Sequence, residues 1–143
     1  MILDADDDKN NGGFEKRKQE IIEIKGSLGI EFELFLFPNN IDDGDLETLL
    51  SNIINPKNKE IFDCWKSFEE CITKINKSYT IPARKTKIYA YLEVLHGNTN
   101  KEKDLIKDPN RNFLNTDHWN LDDDHLIPLK TFLTQFISLC RLS

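Results

Sequence analysis

Ile30-Glu31-Phe32-Glu33-Leu34-Phe35-Leu36-Phe37 is the strongest strand signal in the chain. Glu31 and Glu33 first alternate with apolar residues, and then four large apolar residues run without interruption into Pro38. An alternating start that turns into a continuous apolar run predicts a strand entering a sheet covered on both faces. Upstream, Phe14 to Ser27 carries apolar residues at Phe14, Ile21 and Ile22, continued by Leu28, opposite Lys16, Arg17, Lys18 and Glu20, which predicts a helix. Gly26 and Gly29 are its stop signals. Met1-Ile2-Leu3 is a short apolar run stopped by Asp4, and the segment from Asp6 to Gly12-Gly13 is a loop by composition. Strand, helix, strand at this spacing is a βαβ unit, with parallel strands and a right-handed crossover.

Beyond Pro38 the periodicity is helical. Helices are predicted over Asp45 to Ile54, over Lys59 to Asn76, from Pro82 towards Gly97, and over Leu126 to Cys140. Asn98 to Asp124 is rich in Asn, Asp and Lys, has no steady period, and reads as a long surface loop. The expectation is one α/β domain over residues 1–143, with a small parallel sheet flanked by helices and a helix-rich C-terminal half.

Composition bounds the function. Hydrophobic residues make up 38 % of the 143 and charged residues 31 %, which suits a globular chain. The longest apolar stretches, near Phe32 to Phe37 and Phe132 to Leu139, are too short or interrupted to span a bilayer. The opening MILDADDD has acids where a signal peptide needs apolar residues, so no membrane association and a cytoplasmic location are expected. Cys64, Cys71 and Cys140 lack zinc-type spacing and read as buried free thiols. The net charge of −6 opposes contact with a bare phosphate backbone unless basic residues cluster or metal ions intervene.

Asp4-Ala5-Asp6 is the first candidate for chemistry. Asp4 ends the first strand, so it lies at the C-terminal edge of a parallel sheet, where open α/β folds place ligands. Asp6 follows two residues later, close enough to share an ion, and carboxylate oxygens with open water positions suit Mg²⁺ or Mn²⁺. Asp8 extends the same acidic run and is a further candidate ligand. Glu47, with Asp42, Asp43 and Asp45 near it in sequence, follows the second strand and reaches the same edge if the strands are parallel. Asp4, Asp6 and Glu47 are therefore the candidate catalytic set, and with Asp8 the candidate metal set. The competing reading is structural: acidic turns cap helices, and Asp43 or Asp45 suits the start of the helix that follows.

The order of short motifs adds a resemblance. Ile2-Leu3-Asp4-Ala5-Asp6 is followed by Leu36-Phe37-Pro38-Asn39-Asn40, Gly44-x-Leu46-Glu47-x-Leu49-Leu50, Asp117-His118-Trp119-Asn120-Leu121-Asp122 and Pro128-Leu129-Lys130-x-Phe132-Leu133. Together these resemble an uncharacterised family of TOPRIM-related proteins from bacteria and their phages, over most of the chain. The resemblance implies parallel strands flanked by helices, and phosphoryl-transfer chemistry of the nuclease and primase kind. Asp4 and Asp6 match the Asp-x-Asp that binds the metal. The family pattern also places a glutamate after an earlier strand. Met1 stands three residues before Asp4, so that glutamate has no counterpart here. The expectation is a copy N-terminally incomplete relative to the family, binding Mg²⁺ or Mn²⁺, contacting nucleic acid weakly through the metal, and weak or inactive alone.

Two rivals remain. A non-catalytic partner-binding module of phage or defence origin fits the same residues. A haloacid-dehalogenase-like phosphatase also opens on strand-Asp-x-Asp, but it wants Thr or Val where Asp8 stands. His96, His118 and His125 have no nucleophile beside them and read as surface or capping residues; Trp119 reads as a packing anchor. Arg84, Lys85 and Lys87, with Lys101, Lys103, Lys107 and Arg111, read as a solvated face. Two strands alone leave open edges, so a further strand from the Asn98 to Asp124 region, self-association, or a protein partner at the edge is expected.

Overall fold

The computed structural model describes residues 1–7, 11–96 and 99–140. Its residues form two compact units, one running from Met1 to Asn52 and resuming at Asp122, the other spanning Ile53–Leu121.

The first unit is the expected βαβ arrangement. β1 (Ile2–Asp4) pairs in parallel with β2 (Phe35–Phe37), in the register Ile2 to Phe35, Leu3 to Leu36 and Asp4 to Phe37. Between them lies α1 (Phe14–Leu28), ended by Gly29 in the left-handed region at φ 61°. Gly29 is thus the stop signal, while Gly26 stays inside the helix. Successive residues of β2 face opposite ways. Leu36, fully buried, joins Ala5, Phe14 and Ile21 beneath α1, with Leu3, Phe32 and Leu34 packed against them. Phe35, 1 % exposed, turns to the other side and meets the ring of Phe132 at 5.3 Å. Phe132 belongs to α6 (Ile127–Cys140), and α2 (Leu46–Asn52) adds Leu49 and Leu50 to the buried set. Helices therefore cover both faces of the sheet, as the apolar run required.

Only Phe35–Phe37 of the expected Ile30 to Phe37 strand forms a ladder. Ile2 takes Phe35 as its partner, so the residues before Phe35 run past the useful length of β1. They are held otherwise: the Met1 amino group donates to the Glu33 carbonyl at 2.6 Å, and Lys25 Nζ to the Phe32 carbonyl at 3.1 Å.

The second unit is helical. It contains α3 (Lys59–Ile75), α4 (Arg84–His96) and the short α5 (Asn100–Asp104), with 3₁₀ turns at Pro56–Asn58 and Asp108–Asn110. Residues 99–124 are mostly exposed, as expected of that segment, but they are more ordered than a loop. Thr99 and Glu102 form a reciprocal capping box on α5, and Ile106, Arg111, His118 and Trp119 are all buried. Side-chain turns order the rest: Asn112 Oδ1 accepts from the Leu114 amide and Asn115 Oδ1 from the Asp117 amide, both at 2.9 Å. Such bonds replace helical periodicity, which is why the pattern was absent. No third strand joins the sheet among the described residues; Trp119 instead makes an isolated antiparallel bridge with Ile54.

The thiols differ from expectation as well. Cys64 and Cys71 are free and exposed, because α3 has no buried residue on any face. Gly97 and the side chain of Cys140 lie outside the described residues. No described helix is long and apolar enough to cross a membrane.

Two glycines test this packing. A Cβ on Gly12 would fall 2.5 Å from Asp6 Cβ and 2.8 Å from the Ala5 carbonyl, whereas one on Gly26 meets nothing within 4 Å. Gly12→Ala is expected to destabilise by about 1–3 kcal/mol through forced backbone movement. Gly26→Ala should stabilise by about 0.5–1 kcal/mol through helix propensity. Thermal melts of the two variants check both signs.

Candidate functional site

The candidate residues gather where β1 and β2 end. The Asp6 amide donates to the Gly44 carbonyl at 2.6 Å and the Gly44 amide to the Asp6 carbonyl at 2.7 Å, a two-residue antiparallel bridge between the loops leaving the strands. Asp6 has φ 60° and Gly44 φ 142°; both lie in regions that L side chains seldom adopt, and Gly44 supplies the freer backbone. The Ala5 amide continues the ladder to the Phe37 carbonyl at 3.2 Å. After the cis Phe37–Pro38 bond, Asn40 closes the turn, its Oδ1 accepting from the Leu36 amide at 3.1 Å.

Four acids near this bridge, Asp4, Asp42, Asp43 and Asp45, have structural partners. Asp4 Oδ1 accepts from the amide of Leu46, the first residue of α2, at 2.9 Å. Asp43 Oδ1 accepts from the amide of Phe14, the first residue of α1, at 2.6 Å. Gly13 precedes Phe14 and has no side chain with which to cap, so the acceptor comes from 29 residues away. Asp45 Oδ1 accepts from the Thr48 amide at 2.8 Å and from its hydroxyl at 2.6 Å. Asp42 Oδ2 accepts from Asn39 Nδ2 at 2.7 Å. Of the two capping residues considered from sequence, Asp45 serves α2 and Asp43 serves α1.

Asp4 and Asp6 thus meet the loop that leads into Glu47. Asp4 binds the residue before Glu47, and Asp6 binds Gly44 three residues before it. Glu47 is half-buried in the first turn of α2, at the helix end that favours negative charge. Asp8 lies outside the described residues. Among the described residues no group of three or more His, Cys, Asp or Glu is gathered to hold a metal ion. Asp4, Asp6 and Glu47 therefore share one sheet edge without converging as a three-carboxylate shell. Their donors are hard oxygens, which fit Mg²⁺ or Mn²⁺, and Mg²⁺ commonly takes only one or two carboxylates and keeps its remaining waters. The fit is to a water-rich, weakly held ion.

The site is strongly acidic. The unit that contains it carries sixteen Asp and Glu against seven Lys and Arg, while Ile53–Leu121 carries nine against twelve. Several basic residues of that second unit are engaged locally. Lys87 lies over the Phe62 ring at 4.5 Å, Arg111 over Tyr89 at 5.2 Å and Phe113 at 5.6 Å, and Lys103 pairs with Glu93 at 2.9 Å.

The remaining candidates are structural. Trp119 is 1 % exposed and packs near Tyr91, the anchor expected of it. His125 is exposed beside Asp123, with Nδ1 and Oδ1 2.7 Å apart. His118 departs from the surface role expected: it is 6 % exposed, fixed by the bridge its neighbour Trp119 makes with Ile54. The role of Asp43 at α1 is legible from sequence only as the lack of a capping side chain at Gly13.

A family model described as "Protein of unknown function (DUF3226)" matches residues 1–138. No curated protein and no solved structure matches the chain.

Capping and ligation by the same carboxylate separate in mutants. Asp4→Asn and Asp43→Asn keep an acceptor oxygen and are expected to stay within about 0.5 kcal/mol of the parent, the ordinary range for substitutions that break no such feature. Asp4→Ala and Asp43→Ala orphan a helix amide and should each cost about 1 kcal/mol. Urea denaturation midpoints measure the difference.

Proposed function

We propose for this chain, which belongs to the DUF3226 family of proteins of unknown function, a TOPRIM-like module that holds a divalent ion weakly through its Asp-x-Asp. Asp4 and Asp6 are the ligands, and Glu47 is the nearby acid at the same sheet edge. The observation that carries this reading is the double backbone bond between Asp6 and Gly44. It holds the Asp-x-Asp segment against the loop entering Glu47, at the C-terminal end of two parallel strands. A bound Mg²⁺ or Mn²⁺ would supply Lewis-acid stabilisation of a phosphodiester and a more acidic water. The protein's own part is to hold two carboxylates in fixed positions and to keep the ion hydrated.

Catalysis by the chain alone is weak or absent in this proposal. Asp4 already accepts from Leu46, two carboxylates make a thin shell, and the excess of acids in this unit repels a phosphate backbone. Contact with nucleic acid would run through the ion and stay weak.

The bond from the Leu46 amide to Asp4 also favours a second reading, a non-catalytic module in which the acids serve only as caps and the function is to bind a partner. Manganese titration followed by electron paramagnetic resonance separates the two. The first reading expects binding in roughly the millimolar range, typical of sparse carboxylate sites. That binding should be lost in Asp4→Asn/Asp6→Asn, a variant that keeps the acceptor oxygens. Binding that is unchanged in the double variant would remove the site and leave the second reading.

A companion measurement concerns turnover. With supercoiled plasmid in Mg²⁺ or Mn²⁺, little or no nicking is expected. Robust nicking that disappears in Asp4→Ala would overturn the inactive assignment while keeping Asp4 in the site.

A further inference from the structure

Residues 112–121 form a strap of the helical unit, anchored by the buried Trp119 and hydrogen-bonded mainly through backbone carbonyls. Asn55 donates to it twice, from its amide to the His118 carbonyl at 2.8 Å and from Nδ2 to the Thr116 carbonyl at 2.7 Å. Asn58 Nδ2 reaches the Asp117 carbonyl at 2.7 Å, and Tyr91 Oη donates to the His118 carbonyl at 2.5 Å. The Asn120 amide returns to the Ile53 carbonyl at 2.7 Å. At the centre is the imidazole of His118, which meets the His96 ring edge-on with centroids 4.6 Å apart. Its Nε2 lies 3.2 Å from Asn115 Nδ2, an amide donor, a contact in which the neutral ring accepts.

We propose that His118, packed against His96, is a pH-sensitive latch, closed when its ring is neutral and released in mild acid, freeing the 112–121 strap from the helices. Protonation would turn the acceptor Nε2 into a donor facing another donor and would place a buried cation against His96. The charged groups around His118 are few. Asp117 attracts a proton to the ring, but Lys57 Nζ sits 2.5 Å from Asp117 Oδ1 and offsets it. Arg111 lies over the Phe113 ring of the strap, and Tyr91, whose hydroxyl bonds the His118 carbonyl, is neutral, since burial raises it further above its ordinary value. Burial first, and His96 second, hold the His118 imidazolium below the ordinary histidine range. A histidine whose folded value lies below its unfolded value binds more protons when released. The stability it contributes is therefore complete above about pH 6.5 and lost as pH falls through its folded value.

Hydrogen exchange on the full chain tests this, with rates corrected for the chemical effect of pH. The reporters are the amides of Asn55 and Asn120, both bonded across the strap; the controls are those of Ala5 and Phe35 in the sheet. From pH 7.5 to 5 the reporters should lose protection severalfold, and the controls should not follow. His118→Gln should abolish the pH dependence. If that variant fails to fold, His96→Gln carries the test: it removes the facing ring, so the loss should shrink clearly below the parent's. Protection that stays flat with pH in the parent, falls equally at the controls, or falls undiminished in His96→Gln overturns the latch.

Discussion

Two strands of three residues each are too little to organise a domain by ladder bonds alone. What fixes their far end is the reciprocal bond between Asp6 and Gly44, which joins the loops leaving β1 and β2. Once those loops are joined, their carboxylates are delivered to helices that are distant in sequence. Asp4 at the end of β1 reaches the start of α2, and Asp43 before α2 reaches the start of α1. Each helix is thereby registered against the strand it does not follow. Sheet, crossover helix and second helix become one cooperative object, with Leu36 and Phe35 sealed on opposite faces.

The same exchange weakens the case for a tight ion. A carboxylate that accepts from a helix amide has part of its field already compensated. A cation approaching Asp4 competes with Leu46 for the same group and meets the positive end of a peptide array. The acids that remain near it, Asp42, Asp43 and Asp45, have their own donors. Acids engaged in this way are a poor predictor of metal affinity, and the weak site proposed above follows from the competition at Asp4.

The elements that sequence foretold are those with a period. α1, α3 and α6 fall within two residues of their expected bounds because an apolar stripe and its stop residues are local properties. β2 was overextended because ladder length depends on the partner strand, which Phe32 and Leu34 do not reveal. The order within residues 99–124 is not legible because Asn112 and Asn115 order backbone through side-chain turns that leave no hydrophobic rhythm. At the candidate site the acids could be named, but not their roles. Whether Asp43 caps its own neighbour or a helix 29 residues upstream is decided by tertiary structure, and only the bare backbone of Gly13 hints at it.

The two units rely on polar groups of different kinds, and this sets how each responds to its surroundings. The first is held at its helix starts by carboxylates. The second closes a strap of carbonyls around a neutral imidazole, and histidine changes charge near about pH 6.5. A neutral buried acceptor is sensitive in a way that a charged cap is not. Its protonation adds a charge where water is excluded, while a half-exposed carboxylate that loses its charge retains acceptor oxygens. The Asn-rich strap therefore places the proposed pH response in the helical unit.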